Sequence, residues 1–120
     1  MEEILGTKLR ALYQRKKGRD LFDLATALER VPSLARASVV ECFHRYLAHG
    51  GQRISRAEFE GNLAAKLGDP AFLGDIGPLL APGVRDAYDA VDAGTLVLRE
   101  LVALLPGAPW KRPGPPDPAS

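Results

Sequence analysis

Apolar residues recur at helical spacing from the start of the chain. Leu5, Leu9 and Leu12 stand at positions i, i+4 and i+7, which predicts an amphipathic helix over residues 2–15. Basic residues and Gly18 follow directly. A glycine suited to left-handed backbone angles is typical of a helix C-terminus, so the first helix is predicted to end there.

A second apolar run begins after Asp20 and stops at Val31-Pro32. Aspartate is a favoured N-cap residue, and a residue before proline disfavours continued helix. We therefore expect Asp20 to cap a second helix, and residues 2–30 to form a helical hairpin.

Two further helices are predicted in the middle of the chain. Ser33 opens an apolar helical face that the Gly50-Gly51 pair interrupts. Ser55 with Glu58 three residues later has the pattern of a capping box, and the helix that it opens is expected to end at Gly68. The apolar residues of these two helices are Leu34, Val39, Val40, Phe43, Leu47, Phe59, Leu63 and Leu67.

Prolines and glycines predict a change of structure after the fourth helix. Residues 69–80 are expected to form short turns, and Pro82 to start a last helical region over 83–105, with a break near Gly94. The turns are expected to bury Phe72, Leu73, Ile76, Leu79 and Leu80.

No convincing strand alternation occurs, so the predicted fold class is all-α: a helical hairpin followed by a small helical bundle. The predicted helical unit covers residues 1–105. Residues 106–120 contain six prolines and are expected to form an extended tail. Trp110 is the exception, because burying its large ring favours folding back onto the core.

Composition excludes several classes of protein. The chain has 120 residues, 46% of them hydrophobic, and a net charge of only +1. This size suits one domain, and the bulk charge gives no indication of DNA or a membrane as partner. Cys42 is the single cysteine, and no apolar run approaches the length of a bilayer span. We expect a cytoplasmic protein without a cysteine or histidine metal centre.

Charge is nevertheless unevenly distributed. Six basic residues fall between positions 8 and 19 without an acid among them, whereas acids predominate in the last third of the chain. A local cationic patch is a natural docking site for phosphates. The six residues are Lys8, Arg10, Arg15, Lys16, Lys17 and Arg19.

Two interpretations of this patch remain open. Basic residues at the end of one helix and Asp20 and Asp23 at the start of the next are ordinary complements of helix dipoles. Alternatively, Lys8 and Asp23 line a site for a nucleoside triphosphate and its metal, with lysine on phosphate and aspartate as metal ligand or base. At ~1.5 Å per residue, a regular hairpin places these two side chains at different heights. They are therefore expected to flank a ligand and not to pair.

Several segments resemble a known family. The run Glu3–Leu24 resembles the signature segment of AbiEii/AbiGii toxin family nucleotidyltransferases, a branch of the polymerase-beta-like superfamily related to the MenT toxins. The runs Phe59–Leu67, Phe72–Ile76 and Pro78–Leu80 resemble the helical C-terminal portion of the same family.

The resemblance implies roles for particular residues. It implies nucleotide-binding roles for Lys8 and Arg19, and active-site carboxylates at Asp20 and Asp23, of which Asp23 is the metal ligand. It also implies Mg²⁺, a nucleoside triphosphate, an RNA acceptor such as tRNA, and an antitoxin partner.

The family also has an N-terminal half with a glycine-rich turn and a pair of metal-binding acids, and no such segment precedes Glu2. We therefore expect this chain to be the helical C-terminal half, inactive without a separate N-terminal half. The alternative is a non-catalytic helical module that uses Arg10, Arg15, Lys16 and Lys17 to bind RNA or a partner protein.

Overall fold

A computed structural model describes residues 1–75, 83 and 88–110. Helices account for all the regular structure in these ranges, and no strand is present there. The prediction of an all-α fold is confirmed. The elements are α1 (Glu2–Gln14), α2 (Gly18–Arg30), α3 (Arg36–His49), α4 (Arg56–Leu67), the short α5 (Pro70–Gly74), α6 (Ala90–Glu100) and a 3-10 turn (Val102–Leu104).

The turn between α1 and α2 is tighter than the sequence indicates. Helix α2 begins at Gly18, with Lys17 as an N-cap residue that makes no side-chain capping bond. The prediction that Asp20 caps α2 is therefore wrong, because Asp20 lies inside the first turn. Gly18 is not in the left-handed region either. A Cβ at this position would lie 2.6 Å from the carbonyl oxygen of Phe72, so the glycine allows α5 to approach the start of α2.

One start signal in the middle of the chain is wrong, and two other local signals are confirmed. Helix α3 begins at Arg36 with Ala35 as its N-cap residue, so Ser33 does not open it. Gly51 ends α3 with a φ of 74°, the left-handed conformation that glycine adopts freely. The capping box forms at the start of α4: Ser55 Oγ accepts from the Glu58 N–H at 3.2 Å, and the Ser55 N–H donates to Glu58 Oε1 at 3.3 Å.

The region after α4 differs from its prediction in three ways. Residues 70–74 form a helical turn whose Asp69 side chain accepts from the Ala71 N–H. Leu73 is 40% exposed, whereas Phe72 is buried as expected. Helix α6 runs unbroken through Gly94, where a Cβ would lie 2.9 Å from Leu67 Cδ1. Of the remaining residues of this region, Ile76, Leu79, Leu80 and Pro82 lie outside the described ranges.

The core is formed where α1 packs on α2 and α3, and α2 packs on α6. Its aromatic centre is Phe59, which lies 5.8 Å from Phe43 and 5.5 Å from Tyr13 between ring centroids. Helices α1 and α3 lie close together at Gly6, where a Cβ would lie 2.7 Å from Cys42 Cβ. The fully buried aliphatic residues are Leu9, Leu12, Leu21, Leu24, Val39, Leu47, Leu63, Val97, Leu101 and Val102.

Trp110 folds back onto helix α4, as predicted. The backbone N–H of Trp110 donates to Glu60 Oε1 at 3.1 Å, and the backbone N–H of Arg56 donates to the Pro106 carbonyl at 2.8 Å. The indole lies over Gly61, where a Cβ would come within 3.2 Å of its Nε1 atom. Residues 111–120 of the predicted tail lie outside the described ranges.

We expect Gly61→Val to displace Trp110 from α4, because a branched side chain would overlap the indole. Trp110 is the single tryptophan, so its emission should shift to longer wavelength as the ring becomes hydrated. Gly74→Val is the control, because a Cβ there meets nothing within 4 Å. An unshifted emission spectrum for Gly61→Val would contradict this packing.

Candidate functional site

Lys8 and Asp23 form an ion pair between α1 and α2. The distance between Lys8 Nζ and Asp23 Oδ2 is 2.8 Å, and the two side chains are 34% and 31% exposed. The expectation that they flank a ligand without pairing is wrong. Lys8 lies six residues before Gln14, and Asp23 lies five residues after Gly18. At ~1.5 Å per residue, the short turn brings them to nearly the same height.

Asp20 lies beside this pair but is buried. Its side chain is 6% exposed, and its Oδ2 atom lies 3.5 Å from Arg15 Nη2. Burial raises the pKa of the Asp20 carboxyl, and the positive charges of Arg15 and Lys8 oppose that rise. Asp20 therefore holds the Arg15 guanidinium, whereas Asp23 is the carboxylate that reaches the surface.

Lys66 joins the site from helix α4, and sequence reasoning missed it. The residue is only 6% exposed, and its amine donates to the Leu12 and Tyr13 carbonyls at the end of α1, the latter at 2.7 Å. Burial lowers the pKa of Lys66 to about 8, against the attraction of Asp20. A signal was present, because Lys66 stands at i+7 from Phe59 on the apolar face of α4.

The six basic residues have different immediate surroundings. The Arg10 guanidinium lies 5.4 Å from the centroid of the Tyr46 ring on α3, and Arg15 is turned toward Asp20. Lys16, Lys17 and Arg19 are exposed around the turn. None of these three forms an ion pair with an acid in the described ranges.

The acidic residues provide only part of a magnesium site. Magnesium in nucleotide enzymes is commonly held by one or two carboxylates together with substrate phosphates and water. Asp23 fits one such ligand, because its carboxylate is accessible. Within residues 1–75, 83 and 88–110, no three acidic, histidine or cysteine side chains are grouped to hold a metal. The described residues thus fit a single ligand and not a complete set.

An ion pair of a lysine and a carboxylate, each about one-third exposed, thus lies beside an exposed basic turn. The chain belongs to the AbiEii nucleotidyltransferase toxin family: the family model described as "Nucleotidyl transferase AbiEii toxin, Type IV TA system" matches residues 1–93. The predicted family is confirmed. No curated protein and no solved structure matches the chain.

Membership of the family has general consequences. Nucleotidyltransferases use a nucleoside triphosphate and a divalent metal, and a type IV toxin–antitoxin system suggests an antitoxin as partner. Among the described helices, none combines the length and apolarity that crossing a membrane requires.

Proposed function

We propose that residues 1–105 act as the helical part of a toxin nucleotidyltransferase that transfers a nucleotidyl group from a nucleoside triphosphate to RNA, with tRNA as the acceptor. In this proposal Lys8 and Arg19 bind the phosphates. Asp23 holds a metal ion or accepts the proton of the attacking hydroxyl, and Asp20 contributes through Arg15. The observation that supports these roles is the Lys8–Asp23 pair, which reaches the surface of α1 and α2.

The pair suits an exchange of partners. Each side chain is about one-third exposed, so a triphosphate can reach the lysine without unfolding the hairpin. A phosphate that pairs with Lys8 would release Asp23, which would then bind the metal ion that accompanies the phosphates. Lys8 and Asp23 would each exchange one ion pair for another. Two-metal phosphoryl transfer generally needs further carboxylates. We propose that a separate N-terminal nucleotidyltransferase half supplies them.

We therefore predict that the purified 120-residue chain transfers no labelled nucleotide to tRNA at any Mg²⁺ concentration. The reason is that Asp23 provides one metal ligand where the reaction needs a larger set. Transfer is measured as radioactive nucleotide incorporated into tRNA. Robust incorporation by the chain alone that Asp23→Ala abolishes would show that the chain carries a complete site.

Nucleotide binding tests the same roles without requiring transfer. Lys8→Ala should weaken binding of a Mg²⁺–nucleoside triphosphate by about tenfold or more, since a charge-assisted contact to phosphate is lost. Glu41 and Arg45 form a comparable but more exposed ion pair on α3, so Arg45→Ala is the matched control. Because partly exposed pairs contribute little to stability, both variants should stay folded. Equal affinities for the two variants would refute the role of Lys8.

A binding module for RNA is the second candidate function. Lys16, Lys17 and Arg19 are exposed around one turn, and phosphate contacts of this kind give strongly salt-dependent affinity. We expect weak RNA binding that falls steeply between about 50 and 200 mM salt, and that the double substitution Lys16→Glu and Lys17→Glu removes. RNA affinity measured by fluorescence anisotropy tests this. Unchanged affinity in the double variant would move the RNA contact to another surface.

A further inference from the structure

A cavity of about 540 Å³ lies at the connection between α3 and α4, and neither Lys8 nor Asp23 lines it. Pockets for small organic ligands fall in roughly the 300–1,000 Å³ range. The cavity has polar walls and an apolar part, and all its lining residues belong to the described ranges. The lining residues that matter here are His44, Gln52, Arg53, Ile54 and Pro106.

The electrostatics of this cavity favour an anion. His44 and Arg53 are the ionisable residues of its lining, which contains no acid. Burial lowers the pKa of His44, and the positive charge of Arg53 lowers it further. Within the described residues, Arg53 forms no ion pair. A bound anion would therefore pair with Arg53, and its negative charge would favour the protonated form of the neighbouring His44.

Two carbonyls in the last turn of α3, which ends beside the cavity, are already hydrogen-bonded within the chain. Leu47 O accepts from the backbone N–H groups of Gly50 and Gln52, and Ala48 O accepts from that of Gly51, all at 3.0 Å. The Gln52 side chain is held by Gln14 of α1 at 3.1 Å. This hydrogen bond links one lining residue of the cavity to the end of α1.

We propose that this cavity is a second ligand site that binds the phosphate group of a nucleotide, with Arg53 and His44 on the phosphate and Ile54 and Pro106 against the organic part. Guanidinium binds phosphate through two parallel hydrogen bonds, and protonated imidazole adds a donor. The apolar wall favours an organic phosphate over the inorganic ion. The nucleotide can be free or can be the end of an RNA strand, since both present the same chemistry.

The test uses the two histidines of the chain as paired reporters. His44 lines the cavity, whereas His49 is exposed on the same helix and is not part of the lining. Adenosine monophosphate should shift the His44 ring-proton NMR signals and raise the pKa of His44, because the dianion favours imidazolium. The His49 signals should stay in place.

Substitutions make the assignment specific. Arg53→Gln should weaken binding of adenosine monophosphate by about tenfold, whereas Arg45→Gln, which removes an exposed charge paired with Glu41, should not. Lys8→Ala should leave the His44 shift intact. The test of this cavity is therefore independent of the test of the proposed transfer site. Circular dichroism confirms that each variant is folded.

Further ligands identify the source of the phosphate. Adenosine without phosphate should bind far more weakly than its monophosphate. Tighter binding of a short RNA with a terminal phosphate would assign the site to RNA, and equal binding would assign it to the free nucleotide. His44 signals that neither adenosine monophosphate nor the RNA moves would overturn the proposal, as would undiminished binding by Arg53→Gln.

Discussion

Gly6→Ala should destabilise the protein, because forcing an extra group into a packed core typically costs about 1–3 kcal/mol. The added Cβ would lie 2.7 Å from Cys42 Cβ and 3.1 Å from both the Phe43 nitrogen and the Val39 oxygen. Because backbone atoms cannot turn away, α1 and α3 must separate. Alanine by itself stabilises a helix by roughly 1 kcal/mol relative to glycine. A net loss of stability would therefore come from the close contact between the helices and not from helix propensity. The free energy of unfolding of each variant is measured by urea denaturation.

Two variants make this prediction specific. Gly74→Ala adds a Cβ that meets nothing within 4 Å, so it should be neutral or slightly stabilising. Adding Cys42→Gly to Gly6→Ala removes the nearest clashing atom and should recover part of the loss, seen as a favourable coupling in a double-mutant cycle. Independent, additive effects of the two substitutions would mean that the helices do not meet at this point.

Stability should rise with pH between about pH 8 and pH 10.5, and Lys66 should be the cause. The pKa of Lys66 is lowered from 10.5 to about 8 by burial, so in this range the unfolded chain binds a proton that the folded chain does not. Stability rises with pH wherever the unfolded state holds more protons. The gain is on the order of 2 kcal/mol between about pH 7 and pH 9.5.

Lys66→Met should remove this rise, because methionine cannot titrate. Lys17 is exposed, so Lys17→Met should retain the full pH dependence and is the matched control. The measurement is the free energy of unfolding in urea at several pH values from neutral to mildly alkaline. The same slope in Lys66→Met and in the parent protein would show that the amine is not buried in the folded state.

Local signals predicted the helices well because they operate between residues close in the chain. The i, i+4 and i+7 spacing of Leu5, Leu9 and Leu12 corresponds to the buried face of α1. The Ser55–Glu58 capping box needs only one helical turn to form, and Gly51 ends α3 through its own backbone angle. Each of these features depends on short-range geometry, which the sequence contains.

Predictions failed where a distant element replaced the local preference. Gly18 and Asp20 have the pattern of a helix end followed by an N-cap, yet both lie in α2. The Phe72 carbonyl of α5, more than fifty residues later, closely approaches the glycine inside α2. Gly94 likewise stays helical against Leu67 of α4. In each case a close contact between helices outweighs the local tendency of glycine to end a helix.

By itself, the sequence determined the all-α class, the family and the residues Lys8, Arg19, Asp20 and Asp23 as candidates. Only the tertiary structure decided their arrangement: Lys8 pairs with Asp23, and Asp20 turns inward to Arg15. Lys66 and the cavity beside His44 arise from elements far apart in the chain, including Pro106. The physical reason is that burial and the distance between charges depend on which helices cover a residue, and periodicity within one helix carries no such information.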